Sequence, residues 1–265
     1  MAPDVWDQGD AYEAYVGRWS RRVAAAFVPW LEVPAGARWV DVGCGTGALT
    51  EAVLTLAEPA SVLGVDPSDG FLQTARAQVP GATFEVGSAA ALPVGDGAAD
   101  AVVSGLAINF VPDAAAAVAE LVRVAAPGAV VAAYVWDYAE GMELMRHFWA
   151  AAADVDPAGA GLDEGARFPL CRPEPLSHLW LAAGLSDVTV RSIDIPTVFA
   201  TFDDYWSPFL GGQGAAPGYL ATLPRPRQDA IRDAVRERLP VAADGSITLT
   251  ARAWAVRGVR RSVRN

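Results

Sequence analysis

The residues with the plainest chemical content are Asp41, Gly43, Gly45 and Gly47, in the stretch Trp39-Val40-Asp41-Val42-Gly43-Cys44-Gly45-Thr46-Gly47-Ala48-Leu49. A short apolar run carries an acid to its end, glycines then alternate, and a helical pattern begins. This order predicts a buried parallel strand, a turn with little room for side chains, and a helix whose first N–H groups are unpaired. Backbone at such a turn can touch a ligand, and the helix N-terminus favours negative charge there. Two ligand classes use this geometry. Gly43, Gly45 and Ala48 satisfy the dinucleotide spacing G-x-G-x-x-G/A. The tighter Gly43-x-Gly45-x-Gly47 with Asp41 suits a ligand with an amino-acid end, because a carboxylate accepts from an ammonium group and sits poorly against a pyrophosphate. The glycines alone leave both open.

Other reactive side chains are few. Cys44 and Cys171 are the two cysteines, His147 and His178 the two histidines, and every one of the 20 basic residues is arginine. No zinc-type spacing exists, so no metal site is expected, and without lysine neither Schiff-base nor P-loop lysine chemistry is available. Cys44 reads as a small residue that fits the glycine turn rather than a reactive thiol. The net charge of −11 and a sequence pI near 4.6 oppose a nucleic-acid partner, which needs a basic face. With 52% hydrophobic and 19% charged residues over 265 positions, the chain is globular and can bury a proper core. Met1 to Asp10 holds three aspartates and no basic residue, unlike a cleavable signal, and no run approaches a membrane span. The expected compartment is the cytoplasm, and the expected assembly a monomer or homodimer.

The elements that must position these groups follow in order. A helix over 10–31 carries Tyr12, Tyr15, Trp19, Val23, Phe27 and Trp30 near one face. Strand 38–42 leads through the glycines to a helix with Leu49, Ala52, Val53 and Leu56 on one side and Thr50, Glu51 and Thr55 opposite. Strand 61–66 ends at Asp66, and Ser68 caps the next helix. Strands at 82–86, 100–104 and 129–136 follow, with Asp113 capping a helix that Pro127-Gly128 stops. Five strands alternating with helices mean a parallel sheet wrapped on both faces. Later come a helix over 140–153 that is apolar on more than one side, a Gly/Pro/Asp-rich connection over 154–173, and a helix over 174–183 closed by Gly184. Strands at 187–195 and 246–256, lacking a crossover between them, suggest an antiparallel pair at one sheet edge. The loop 210–218, with four glycines, reads as a lid or a surface loop.

Taken together, Val40-Asp41-Val42-Gly43-Cys44-Gly45-Thr46-Gly47, Gly64-Val65-Asp66-Pro67-Ser68, Asp100-Ala101-Val102-Val103-Ser104 and Arg123-Val124-Ala125-Ala126-Pro127-Gly128 resemble the class I S-adenosylmethionine-dependent methyltransferases, in the small-molecule branch with a ubiquinone-biosynthesis-like core. The resemblance covers 38–136 well and 10–31 loosely. It implies an α/β fold: a doubly wound, Rossmann-like sheet of seven strands, mostly parallel, with an antiparallel last edge strand and a helical cap or lid. On this pattern 1–265 is one methyltransferase domain. It has a helical cover at 1–33, a cofactor core at 38–136, cap or substrate-side insertions at 137–183 and 197–240, and edge strands at 187–196 and 246–256.

The resemblance also implies site residues. Gly43, Gly45 and Gly47 pass under the methionine part of S-adenosylmethionine, Asp41 lies near its ammonium, and Asp66, followed by Pro67 and Ser68, accepts from the ribose hydroxyls. Where the family usually has an aspartate for the adenine amino group, this chain has Ser88, followed by Ala89; a hydroxyl accepts without charge assistance. Tyr15 and Arg18 match a segment that covers the cofactor, and Leu106 lies beside the transferable methyl. The acceptor side is expected at Asn109, Tyr138, His147 and Trp206, with His147 and Tyr138 as candidates to take a proton. The product is S-adenosylhomocysteine, and no metal takes part. Many large apolar groups outside the core, from Trp136 to Phe209, favour a small apolar or aromatic substrate. Two alternatives stay open: an NAD(P)-dependent oxidoreductase on a similar fold, and a repurposed cofactor-binding protein that methylates nothing.

Overall fold

Apolar runs short enough to be strands and bounded by glycine turns set the sheet. The computed structural model describes residues 17–211 and 214–262. Tyr12, Tyr15 and the start of the N-terminal helix therefore lie outside the described residues, as do Gly212 and Gln213 of the glycine-rich loop. The elements are α1 (Arg18–Trp30), β1 (Arg38–Val42), α2 (Ala48–Leu56), β2 (Ser61–Asp66), α3 (Asp69–Gln78), β3 (Thr83–Val86), β4 (Ala99–Gly105), α4 (Ala114–Val124), β5 (Ala125–Trp136), α5 (Glu143–Val155), α6 (Pro173–Ala182), β6 (Ser186–Phe199), α7 (Ala215–Thr222), α8 (Arg225–Arg238) and β7 (Ile247–Val259).

The seven strands run in the order β3-β2-β1-β4-β5-β7-β6. The five strands β1 to β5 pair in parallel. Their reversal point lies between β1 and β4, where open α/β sheets bind ligands at the strands' carboxyl ends. β7 runs against β5: Gly128 N–H donates to Arg260 O at one end, and Asp137 N–H to Arg252 O at the other. β6 lies outermost, antiparallel beside β7, with the Ser186 hydroxyl on Val259 O and Arg252 on Asp194. This is the Rossmann-like, mostly parallel sheet with antiparallel late strands that the motif order implies.

The chain resolves into two compact units. One, the sheet unit, comprises 20–135, 170–193 and 253–265; the other comprises 1–19, 136–169 and 194–252. Residues 170–183, which the sequence groups with a cap, fall in the sheet unit. There α6 lies against β5, with Trp180 Nε1–H donating to Val131 O at 2.9 Å. α1 packs on β5 through Phe27 and Tyr134, whose rings meet edge to face at 4.7 Å.

In the second unit α5 is buried along Leu144, Met145, Phe148, Trp149, Ala151 and Ala152, as a helix apolar on several sides requires. Phe148 stacks on Phe209 at 4.7 Å, and Trp149 and Tyr219 join the same aromatic cluster. The connection over 154–173 carries a helical stretch at Pro157–Leu162 and a single turn at Glu164–Arg167. Trp149 Nε1–H donates to the Glu164 carboxylate at 2.5 Å, and Arg146 pairs with Asp163, so this segment is tied to α5.

Three boundaries and one helix face differ from the sequence expectation. α4 ends at Val124, and Pro127-Gly128 lies within β5, at an irregularity between the Ala99–Ala125 and Ala101–Val130 pairs. β6 continues past Pro196 to Phe199, because its alternating burial persists and an edge strand tolerates a residue without an N–H. The loop 210–218 turns into α7 at Ala215, after Gly214 at φ 85°. Thr50, placed by helical spacing on the polar side of α2, is buried, while Leu56 is exposed.

Candidate functional site

The turn after β1 is held by backbone bonds to β2. Gly43 and Cys44 N–H groups both donate to Val65 O, at 2.7 and 3.1 Å, and Gly47 N–H donates to Cys44 O at 2.9 Å. All three loop glycines have positive φ: 71° at Gly43, 54° at Gly45 and 93° at Gly47. At Gly43 the requirement is also steric, since a Cβ there would lie 2.4 Å from the Ala107 Cβ. At Gly45 a Cβ would meet nothing within 4 Å, so this backbone faces open space. That is the surface a ligand can approach closely.

Asp66, at the end of β2, reaches back to this turn. Its Oδ2 accepts from the Gly45 amide at 3.0 Å and its Oδ1 from the Ser68 amide at 2.8 Å. Ser68 in turn caps α3, its hydroxyl accepting from Phe71 N–H at 3.3 Å, and Pro67 between them is exposed. The Asp66 carbonyl accepts from Gly87 N–H at 3.1 Å, which brings the exit of β3 to the same place. One carboxylate thus gathers the glycine turn and the start of α3, and its main chain adds the residue before Ser88. Burial raises the Asp66 pKa, opposed by the Ser68 and Gly45 amides.

Asp41 is fully buried at the end of β1. Its Oδ2 accepts from the Thr50 hydroxyl at 2.7 Å, and among the described residues nothing hydrogen-bonds its Oδ1. Burial pushes this carboxyl up to about 7; the Thr50 hydrogen bond opposes that and nearby Asp66 adds to it. Burial, Asp41 and Asp66 push the Cys44 thiol far up, so Cys44 is a protonated packing group in a cluster with Leu72, Ala75, Val79 and Phe84.

At the exit of β3, Ser88 is exposed and its hydroxyl accepts from Ala90 N–H at 3.2 Å, closing a local turn with Ala89 inside it. At the exit of β4, Leu106 is buried with φ 59°, held by its N–H on Tyr134 O at 2.8 Å. A branched residue in the left-handed region is strained and points to a site. Nearby in the chain, the Asn109 amide nitrogen and the Ser104 hydroxyl are buried without a hydrogen-bond partner among the described residues. The sheet unit therefore joins Asp66 to Gly45 and Ser68 by direct bonds, while Gly43 and Gly47 are held through Val65 and Cys44 and Asp41 through Thr50.

The remaining expected residues belong to the other unit. The Arg18 guanidinium pairs with Asp204 at 2.9 Å and lies over the rings of Trp19 and Phe199 at 4.5 and 4.9 Å. Its Nε and Nη2 atoms are buried without a partner among the described residues. Tyr138 is buried against Phe168, and Trp206 is buried in the aromatic cluster around Phe148. His147 is half-buried on α5; burial lowers its pKa, Glu143 opposes this, and Arg238 adds to it. Trp136, Met142, Met145, Phe199, Tyr205 and Phe209 are all buried, and the rings among them that the sequence left free to line a pocket largely pack on one another. His178 is exposed. Among the described residues no group of three or more His, Cys, Asp or Glu side chains is placed to hold a metal ion, and no helix is long and apolar enough to cross a membrane.

Thr50 and Ser104 are the polar groups that sequence reading passed over. A threonine on the core side of an amphipathic helix is the signal that would have found Thr50: a buried hydroxyl needs a partner, and here Asp41 takes it.

An amino-acid end fits this site on two observations: the unpartnered Asp41 Oδ1 offers an acceptor for an ammonium group, and the Gly45 backbone borders open space. Comparison with known proteins gives the family. Residues 40–133 match the family model described as "Methyltransferase domain". The chain is 34% identical over 140 residues to trans-aconitate 2-methyltransferase of Variovorax paradoxus, a match covering 52% of this chain and 54% of the relative, about half its length. It is 32% identical over 176 residues to demethylmenaquinone methyltransferase of Roseiflexus sp., covering 61% of this chain and 73% of that relative. The YcgJ protein of Bacillus subtilis shares the fold, with a TM-score of 0.61 at 18% identity over 92% of this chain and 99% of that one. Motif order, sheet topology and these similarities agree: the chain belongs to the class I S-adenosylmethionine-dependent methyltransferases.

Proposed function

We propose that the chain transfers the methyl group of S-adenosylmethionine to a small molecule, at an oxygen or nitrogen atom of an apolar or aromatic framework, leaving S-adenosylhomocysteine. The observation that carries this is the glycine turn whose open face at Gly45 adjoins two buried acids, one of them with an unpartnered oxygen. Gly43, Gly45 and Gly47 hold backbone where the methionine part would lie, and Asp41 accepts from its ammonium. Asp66 has further lone pairs for the ribose hydroxyls beyond the two amides it already accepts from. Pro67 and Ser68 continue that edge, Ser88 and Ala89 border the adenine, and Leu106 lies at the methyl side. Tyr15 and Arg18 are the proposed contacts of the N-terminal segment; the unpartnered Nε–Nη2 edge of Arg18 matches a carboxylate in a two-pronged geometry.

The bound cofactor supplies a sulfonium methyl that is already activated, so the protein's task is alignment, exclusion of water and removal of the acceptor's proton. In-line displacement needs the acceptor held on the far side of the methyl. Asn109 has a buried amide donor free for this purpose. Tyr138, His147 and Trp206 are the proposed acceptor contacts of the second unit. His147 and Tyr138 are the groups offered for the proton, and burial favours the neutral imidazole of His147, the form that accepts one. The two named relatives act on trans-aconitate and on demethylmenaquinone, as their names state, so what carries over is a small-molecule acceptor rather than one compound.

The test is to incubate the protein with S-adenosylmethionine and a panel of small phenols, amines and carboxylic acids, following S-adenosylhomocysteine by mass spectrometry. Acceptor-dependent release supports the proposal. Cofactor binding without release on any acceptor class would identify a cofactor-binding protein that transfers no methyl group.

A further inference from the structure

A carboxylate has two equivalent oxygens and a soft terminal torsion, so the direction of its free edge is fixed only by what holds the other oxygen. At Asp41 that holder is Thr50. Both side chains are fully buried, the hydroxyl donates to Oδ2 at 2.7 Å, and Oδ1 has no partner among the described residues. A threonine inside a helix ordinarily turns its hydroxyl back to a carbonyl of the preceding turn and has few rotamers. Here the first turn of α2 lies under the end of β1, and the hydroxyl goes across to the strand instead. A buried acceptor left open beside a glycine turn whose backbone faces open space is costly in the free protein, and is satisfied by a donor that arrives with a ligand.

We infer that Thr50 is a positioning residue for cofactor recognition: by holding Asp41 Oδ2 it presents Oδ1 to the ammonium end of the cofactor. The inference rests on the S-adenosylmethionine reading of the glycine turn. It has a second consequence, because the same hydrogen bond favours the charged carboxylate against burial. Of the ionisable groups near Asp41, Asp66 disfavours its charge, and the Cys44 thiol stays protonated and neutral. Of the groups that favour the charge on Asp41, the Thr50 hydroxyl acts most strongly and the Thr50 backbone N–H, which a side-chain substitution leaves in place, less so; ammonium binding strengthens as Asp41 loses its proton.

The test uses calorimetric titration of the whole chain at pH 6 to 8.5 with two probes. S-adenosylhomocysteine carries the amino-acid end; 5′-methylthioadenosine lacks it. Thr50→Val removes the hydroxyl and keeps the shape. The expected result is S-adenosylhomocysteine binding weakened about tenfold, the loss of one charge-assisted contact, with 5′-methylthioadenosine changed less than about twofold. The pH at which S-adenosylhomocysteine binding strengthens should also move upward, and Thr50→Ser should restore both. Thr50→Ala, which adds no bulk, gives the same comparison if the valine variant does not fold. Equal weakening of both probes, or no weakening of either, would overturn the positioning role. A wild-type chain that binds neither probe would overturn the cofactor reading beneath it.

Discussion

The Asp66 carboxylate fastens the glycine turn to the neighbouring strand: Oδ2 accepts from the Gly45 amide at 3.0 Å while Oδ1 accepts from the Ser68 amide at 2.8 Å. One side chain thereby fixes the open backbone of the turn and the entry to α3. A carboxylate accepting two amides makes charge-assisted bonds, which a neutral amide cannot replace on both sides.

Asp66→Asn should therefore weaken both the fold and the site. We expect a loss of about 1–3 kcal/mol in stability from the amide left facing a donor, and at least a tenfold weaker Kd for S-adenosylhomocysteine. Urea denaturation and calorimetry check the two effects. An Asn variant with wild-type affinity would count against a ribose contact at Asp66.

Gly43 and Gly45 should separate folding from binding. Gly43→Ala drives a methyl to 2.4 Å from Ala107 at φ 71°, so this variant should be strongly destabilised or fail to fold. Gly45→Ala puts its methyl in open space at φ 54°, costing about 1–2 kcal/mol of backbone strain while obstructing the ligand. The expected pair of results is a lowered Tm at 43, and a folded protein with at least tenfold weaker cofactor binding at 45. Equal binding by Gly45→Ala and wild type would remove that backbone from the site.

The buried acids give the ligand-free protein a pH dependence of definite sign. An acid whose folded pKa lies above its unfolded value favours folding most at low pH, and that contribution disappears as pH rises through the folded pKa. Asp41 is raised from 3.8 to about 7, so its contribution is lost between those values; Asp66 shifts in the same direction. Thermal denaturation without ligand should give a Tm that falls from pH 5 to 8. Asp41→Asn should flatten that fall, and a wild-type curve that rises over this range would contradict the assignment.

Phe148 is the central ring of the second unit, fully buried and stacked on Phe209 at 4.7 Å. Phe148→Ala should cost about 3–5 kcal/mol through lost burial and the cavity left behind. A shift of the urea midpoint reports it, and a change below 1 kcal/mol would mean that the cluster repacks around the gap.

What could be read from the sequence is what is local. The run from Trp39 to Leu49 contains its own strand, turn and helix start, and Ser68 and Asp113 are caps whose bonds lie three residues away. The part that escaped depends on partners distant in the chain. Thr50 reads as a polar-face residue until Asp41, on another element, takes its hydroxyl. Pro127-Gly128 reads as a helix stop, yet Ala125 is already paired with Ala99 on β4. The aromatic side chains from Trp136 to Phe209 read equally as pocket or packing, and only their mutual ring contacts distinguish the two. The segment 154–173 reads only as a Gly/Pro/Asp-rich connection because what holds it, Trp149 on Glu164 and Arg146 on Asp163, crosses from α5.

The central claim is that the turn at Gly43–Gly47 takes the amino-acid end of S-adenosylmethionine and not a pyrophosphate. Isothermal titration of the purified chain with S-adenosylmethionine and, separately, with NADH and NADPH tests it most directly. The expected result is saturable one-to-one binding of S-adenosylmethionine in the micromolar range, with no heat from either nicotinamide cofactor. Binding of a nicotinamide cofactor, with none of S-adenosylmethionine up to millimolar concentration, would contradict it.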